Sequence, residues 1–206
     1  MIISATGLGK RYNRDWIFRH LDLAIGSGSR LAILGPNGSG KSTLLSCLWG
    51  QTIPTAGEVS YEHDGQSILP EDLHRHITIA APYMELVDEF TLSEHIGFHF
   101  HYKSPVDGLT PEGVAERIGL PLNLDKRISE FSSGMRQRLK LGLALLSDAS
   151  VTFLDEPTTN LDKSAEKWYF DLVSRVSGRT LIIATNNDTD YPTGSAILKL
   201  EDWKSR

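Results

Sequence analysis

No segment of this chain restricts its possible folds as tightly as residues 31–49. A short continuous apolar run, Leu31-Ala-Ile-Leu34, reads as a strand buried on both faces of a sheet. The turn Gly35-Pro-Asn-Gly-Ser-Gly40 follows directly, and residues 41–49 then place Leu44, Leu45 and Leu48 at helical spacing. Residues 2–5 and 16–25 read as further short strands, punctuated by Gly7, Gly9, Gly26 and Gly28. Two further apolar runs, 151–154 and Thr180–Thr185, end on Asp155-Glu156 and on Asn186. Strand, glycine-rich turn and helix, with other buried strands ending on acidic or polar residues, describe an α/β sheet. A ligand of such a sheet sits at the carboxyl ends of its strands.

The turn matches G-x-x-x-x-G-K-[ST] between a strand and a helix, the context in which that pattern cradles phosphates. Gly35, Gly38 and Gly40, with Pro36, Asn37 and Ser39 between them, let the backbone wrap closely enough for its amides to face phosphate oxygens. The helix that opens at Lys41, Ser42 and Thr43 adds the partial positive charge of its N-terminus. Lys41 is expected to bridge the β- and γ-phosphates and Ser42 to ligate Mg²⁺. Asp155 closes an apolar strand and suits the other Mg²⁺ ligand, directly or through water. Glu156, one residue on, is expected on the other side of the chain, as the base that orients an attacking water. Acidic residues also begin ordinary turns, and Pro157 marks one here. The phosphate loop nonetheless favours the catalytic reading.

Phe131-Ser132-Ser133-Gly134-Met135-Arg136-Gln137-Arg138 opens an apolar helix upstream of Glu156 and resembles the LSGGQ-type signature of ABC ATPases. An ordinary N-cap serine would look similar, but the spacing to the other motifs matches the family. The run from Glu156 to Asp162 resembles the family's D-loop. Tyr12 matches its adenine-stacking aromatic, with Trp16 as a nearby alternative. The resemblance covers essentially the whole chain. It implies a P-loop nucleotide-binding domain, with an α/β sheet core of about residues 1–84 and 149–206 and an inserted α-helical subdomain of about 85–148. It also implies ATP and Mg²⁺ as cofactors, and a head-to-tail pair with a second copy or a paralogous ATPase. In that pair Ser132, Ser133 and Gly134 contact the γ-phosphate of ATP held by the partner, and Asp162 lies at the interface. An integral membrane permease is the implied transport partner. Length and the Ser-Ser-Gly-Met form are similar to the small exporter-type members, haem exporters included. Two rivals are a soluble ABC ATPase acting on a protein assembly, such as iron–sulfur cluster delivery, and a small-molecule P-loop kinase. Glu156 and the signature disfavour the kinase.

Two positions depart from the family pattern. Counting back from Thr91-Leu-Ser-Glu94 places Pro82 where a glutamine normally stands, and no glutamine occurs between Gln66 and Gln137. Proline offers no side-chain amide to metal or water. The usual switch histidine is Asn186, and no histidine follows His101. Asn186 donates a neutral hydrogen bond without the charge of an imidazolium. Binding is therefore expected to survive while hydrolysis is slow, with Glu156, Lys41 and Asn186 as its catalytic groups.

A net charge of -5 gives no general reason to expect nucleic-acid binding. No run approaches the ~18 apolar residues of a membrane span, and the N-terminus has no secretory pattern. The lone Cys47 fits a reducing compartment. A cytoplasmic protein, peripheral on the membrane through its permease, is expected. Helices are expected at Leu92–Tyr102, 112–118 and 133–146, with Pro105, Pro111 and Pro121 in the connections. His95 and His99 share a helical face, near His101, and read as a solvated or partner-facing stripe rather than a metal site. Phe90, Phe98, Phe100 and Tyr102 suit either a docking face or a subdomain core. Cys47 reads as packing.

Overall fold

The computed structural model describes residues 1–120 and 123–204, so Pro121 lies outside the described residues. The strands are β1 (Ile2–Tyr12), β2 (Asp15–Ile25), β3 (Arg30–Leu34), β4 (Ala56–His63), β5 (Gln66–Ser67), β6 (Ile77–Ala80), β7 (Val151–Asp155), β8 (Thr180–Thr185) and β9 (Ala196–Lys199). The helices are α1 (Lys41–Leu48), α2 (Leu92–Tyr102), α3 (Pro111–Arg117), α4 (Ser133–Leu145) and α5 (Lys163–Arg175). They form two sheets. One is antiparallel, in the order β2-β1-β4-β5; the other is parallel, in the order β6-β7-β8-β3-β9.

Every residue of β7 and β8 is buried, as expected for a strand covered on both faces. Their side chains alternate between two cores. Val151, Phe153, Ile182 and Ala184 pack with α1 and the antiparallel sheet, while Leu154, Leu181 and Ile183 pack under α2–α5. The period of two makes one strand serve both layers. The predicted α/β class is the class observed, and the structure shows that the sheet containing β7 and β8 is parallel.

β1 corrects the sequence reading. Gly7 and Gly9 suggested that it ends at residue 5, yet the strand runs on to Tyr12 through register shifts against both neighbours. Its glycines sit at bulges and end no strand. Opposite them Gly57 approaches so closely that a Cβ there would lie 2.3 Å from the Thr6 carbonyl oxygen. Close backbone approach, not a turn, explains this cluster. β4, β6, β9 and α5 were not foreseen.

Between β6 and β7 come α2, α3 and α4. α2 opens with a capping box in which Thr91 Oγ1 accepts from the Glu94 amide at 3.2 Å and Glu94 Oε2 accepts from the Thr91 amide at 2.8 Å. Pro111 does not lie in a connection: it is a first-turn residue of α3, where its missing N–H costs nothing. The histidines of α2 also differ from expectation. His95 is buried and accepts from the Val87 amide through Nε2 at 3.3 Å, and His99 hydrogen-bonds Ser147 at 2.8 Å. They face the core because that face of α2 covers the end of α4. Among the described residues no three metal-ligating side chains come together. Phe98 and Tyr102 are exposed, whereas Phe100 packs against the helical core. Cys47 is buried, and burial pushes its thiol up to about 11, out of the range of a reactive thiolate.

Candidate active site at the carboxyl ends of the parallel strands

β3 delivers the chain into the phosphate-type loop at the carboxyl edge of the sheet. Gly40 is the N-cap of α1 with φ +104°, and a Cβ there would stand 2.1 Å from Ile17 Cγ2. Only glycine fits that backbone and that neighbour together. Lys41 is consequently held at the first position of α1, its side chain 5% exposed, and donates to the carbonyls of Gly35 (2.8 Å) and Pro36 (3.2 Å). It also pairs with Glu156 Oε1 at 3.0 Å.

The two carboxylates do not alternate as expected. Glu156 lies just past the end of β7 with φ +45°, so the chain has left the pleat and turned back. Both carboxylates therefore face the start of α1: Ser42 favours the ionised form of Asp155, and Glu156 pairs with Lys41. A left-handed glutamate is strained, and such strain concentrates at functional sites. Burial raises the pKa of Asp155, offset in part by the Ser42 hydrogen bond; the Glu156 charge raises it and Lys41 lowers it. One oxygen of Asp155, Oδ1, is buried without a hydrogen bond.

A cavity of about 520 Å³ opens here, lined by Ile17, Asn37, Gly38, Gly40, Lys41, Ser42, Thr43, Pro82, Glu156, Thr159 and Asn186. Asn186 reaches it from the end of β8 and donates to Asn37 Oδ1 at 2.9 Å. The parallel pairing of β3 with β8 puts Leu34 opposite Thr185, which is why the two loops meet. Ser39 is buried beside Gly35 and its hydroxyl makes no hydrogen bond. The donor set therefore fits a polyphosphate with a divalent cation. An ammonium and a run of loop amides face the phosphate side, and a serine hydroxyl with an under-bonded carboxylate faces the metal side.

Other predicted residues lie elsewhere. Tyr12 is half exposed with Lys10 over its ring at 5.1 Å, and Ile17, not Tyr12, lines the cavity. Ser132, Ser133, Gly134 and Asp162 do not line it either. Ser132 is the exposed N-cap of α4, accepting from the Met135 amide at 3.2 Å. Asp162 is the exposed N-cap of α5, its carboxyl held below the usual range by hydrogen bonds from the Ala165 amide and Ser164. Gly134 faces the Asn160 carbonyl at 3.4 Å from a virtual Cβ, and buried Gln137 donates to the Pro157 carbonyl at 2.9 Å. The α4 terminus and the turn after Glu156 are thus fastened together. Pro82 lines the cavity with its carbonyl held by Lys140 of α4 at 3.1 Å. Beside it, burial and the Asp155 charge push the Tyr83 phenol up to about 12.

Ile17, Lys140 and Asp190 escaped the sequence reading, and Gln137 and Thr159 were read only as members of their motifs. Each acts through a contact between distant segments, which no spacing along the chain marks.

The sequence profile described as ABC transporter matches residues 18–159, more than half of the chain. The chain is 32% identical to the lipoprotein-releasing system ATP-binding protein LolD of Xanthomonas campestris, covering 100% of this chain and 92% of that protein. It is 32% identical to the Nod factor export ATP-binding protein I of Ralstonia nicotianae, covering 90% of this chain but only 59% of that one. The chain thus spans about three fifths of the Nod factor export relatives it matches. Among solved structures it resembles a dimeric ATP-binding cassette in a post-hydrolysis state with ADP and Pi, with a TM-score of 0.76, 20% identity, and 90% and 88% of the two chains covered. The carboxyl-edge cavity, the loop that lines it and these matches lead to one assignment: the chain belongs to the ABC transporter family and has the fold of its P-loop ATP-binding cassettes.

Proposed function

We propose that this chain binds and hydrolyses MgATP in the Lys41–Glu156–Asn186 cavity and drives a membrane transporter by ATP-dependent closure of two cassettes. The observation that carries this reading is the convergence of Lys41, Ser42, Glu156 and Asn186, from three strand ends, on one cavity, with the buried carboxyl of Asp155 beside Ser42. The loop amides and Lys41 bind the triphosphate, Lys41 exchanging the Gly35 and Pro36 carbonyls for phosphate oxygens. Ser42 and Asp155 hold Mg²⁺, which when bound neutralises charge on the phosphates. Glu156, released from Lys41, orients the attacking water and takes its proton. Asn186 donates to the γ-phosphate. Tyr12 is assigned to the adenine edge.

Exposed Ser132 and Ser133 and half-buried Gly134, all apart from the cavity, are assigned to the ATP held by a facing second copy or paralogue, with Asp162 at the same interface. Residues 85–148 act as a helical subdomain carrying this signature, inserted into a sheet core of 1–84 and 149–206. Exposed Phe98, Tyr102, Tyr83 and Met84 suit a permease, which would hold the protein on the cytoplasmic face of the membrane. No helix among the described residues is long and apolar enough to cross a membrane. Pro82 and Asn186 slow turnover by roughly one to three orders of magnitude relative to a site with glutamine and histidine there.

Phosphate release from ATP by the purified chain, and its loss in Lys41→Ala, tests the chemistry. Pull-down from solubilised membranes tests the partner. A co-purifying multi-span protein supports transport, and a purely soluble assembly as sole partner refutes it. Absence of both MgATP binding and turnover refutes the site.

A further inference from the structure

Asp190 is a buried carboxylate to which the mechanism above assigns no role. It is 1% exposed, and three side chains from two loops donate to it. Thr158 Oγ1 donates to Oδ1 at 2.9 Å, Asn187 Nδ2 to Oδ1 at 3.0 Å, and Thr185 Oγ1 to Oδ2 at 2.5 Å. Thr158 belongs to the turn whose backbone is left-handed at both Glu156 and Asn160. Thr185 and Asn187 flank Asn186. Tyr169, buried in α5, donates to the main-chain oxygen of Asp190 at 2.9 Å, a contact that does not involve the carboxylate.

We propose that Asp190 is a positioning residue for ATP hydrolysis, clamping the Glu156 turn to the Asn186 loop so that base and γ-phosphate donor keep a fixed separation. This rests on the proposed reading of the cavity. Apart from this clamp, the Glu156 turn meets the β8 end through the Glu156 amide, which donates to the Ala184 carbonyl at 2.8 Å. That main-chain bond sets where the turn begins, and Gln137 holds the Pro157 carbonyl to α4, but neither ties residues 158–160 to the Asn186 loop. Thr158 held on Asp190 supplies that tie. The cost supports a functional reading. Among the described residues no cation lies beside the carboxylate, and burial raises its pKa, partly offset by the Thr185 and Thr158 hydrogen bonds, while Glu156 and Glu166 raise it further. A packed apolar residue would serve stability without that cost.

The test is steady-state ATP turnover of the full chain and of Asp190→Ala, Asp190→Asn and Thr158→Val, with thermal stability measured alongside. Tyr169→Phe, which loosens the same region without touching the carboxylate, is the structural control. Asp190→Ala and Thr158→Val should lower kcat by about 10- to 100-fold with KM for ATP within about twofold, the signature of misplaced reacting groups around an intact binding site. Asp190→Asn, which keeps the shape and two acceptor contacts, should return kcat toward wild type. Tyr169→Phe should lower stability while kcat stays within about twofold. If Asp190→Ala does not fold, Thr158→Val decides. Wild-type kcat in Thr158→Val, or kcat falling in step with stability across all variants including Tyr169→Phe, overturns the clamp. A wild-type chain that binds MgATP without turnover overturns the clamp and the hydrolytic reading together, leaving the binding site standing.

Discussion

His99 makes the stability of this protein sensitive to mild acid. Ser147 Oγ donates to the Leu143 carbonyl at 2.6 Å, so its proton is committed and His99 Nε2 must donate to it at 2.8 Å. Protonating the ring would therefore add its proton at Nδ1 and charge a largely buried imidazole. Burial is the main force against that charge, with His95 and Lys103 on the same helical face adding repulsion, and the pKa falls to about 4. The folded value lies below the unfolded value of 6.5, so the stabilisation is complete above pH 6.5 and is lost as pH falls toward 4. From pH 7 to pH 4.5 the loss is about 2 kcal/mol, since a tenfold change in proton affinity between the folded and unfolded chain is worth about 1.4 kcal/mol. For a chain of this size that lowers Tm by roughly 4–8 °C. Urea unfolding of wild type and His99→Gln at both pH values isolates the effect, because other titrating groups contribute equally to both. Parallel stability curves for the two proteins from pH 7 to 4.5 would refute this account of the His99 environment.

The remaining predictions bear on the site and the helical core. Lys41→Ala should weaken MgATP binding by about 10- to 100-fold, read by a fluorescent nucleotide, because charge-assisted phosphate contacts are lost; unchanged affinity would place the triphosphate elsewhere. Asn186→His should raise kcat by about tenfold by restoring a chargeable donor, and an unchanged rate in a phosphate-release assay would show that the neutral amide does not limit turnover. Gly142→Ala should destabilise the protein by about 1–2 kcal/mol in urea titration. Its Cβ would lie 2.1 Å from Ile118 Cγ2, an overpacking cost that exceeds the gain in helix propensity; a more stable variant would mean that α3 shifts freely on α4.

The chain's local chemistry wrote much of this protein into its sequence. Arg30–Leu34, Lys41–Leu48 and Thr180–Thr185 follow from apolar runs and helical spacing, and the loop between the first two follows from glycines that only one backbone path tolerates. Such features depend on neighbours within a few residues. Gly7 and Gly9 misled because a bulge inside a strand and a turn at its end use the same residue, and the difference lies in the strand opposite. Glu156 faces Lys41 because the chain leaves its pleat at that residue, which alternation along a strand does not foretell. Ile17 lines the cavity because strand register decides which side chain meets Gly40. Asp190 stood unmarked among polar loop residues until folding surrounded it with Thr158, Thr185 and Asn187. Contacts between segments far apart in the chain leave no periodic trace in either one. The sequence therefore determined which groups this protein has for its chemistry, and only the tertiary structure decided which of them meet.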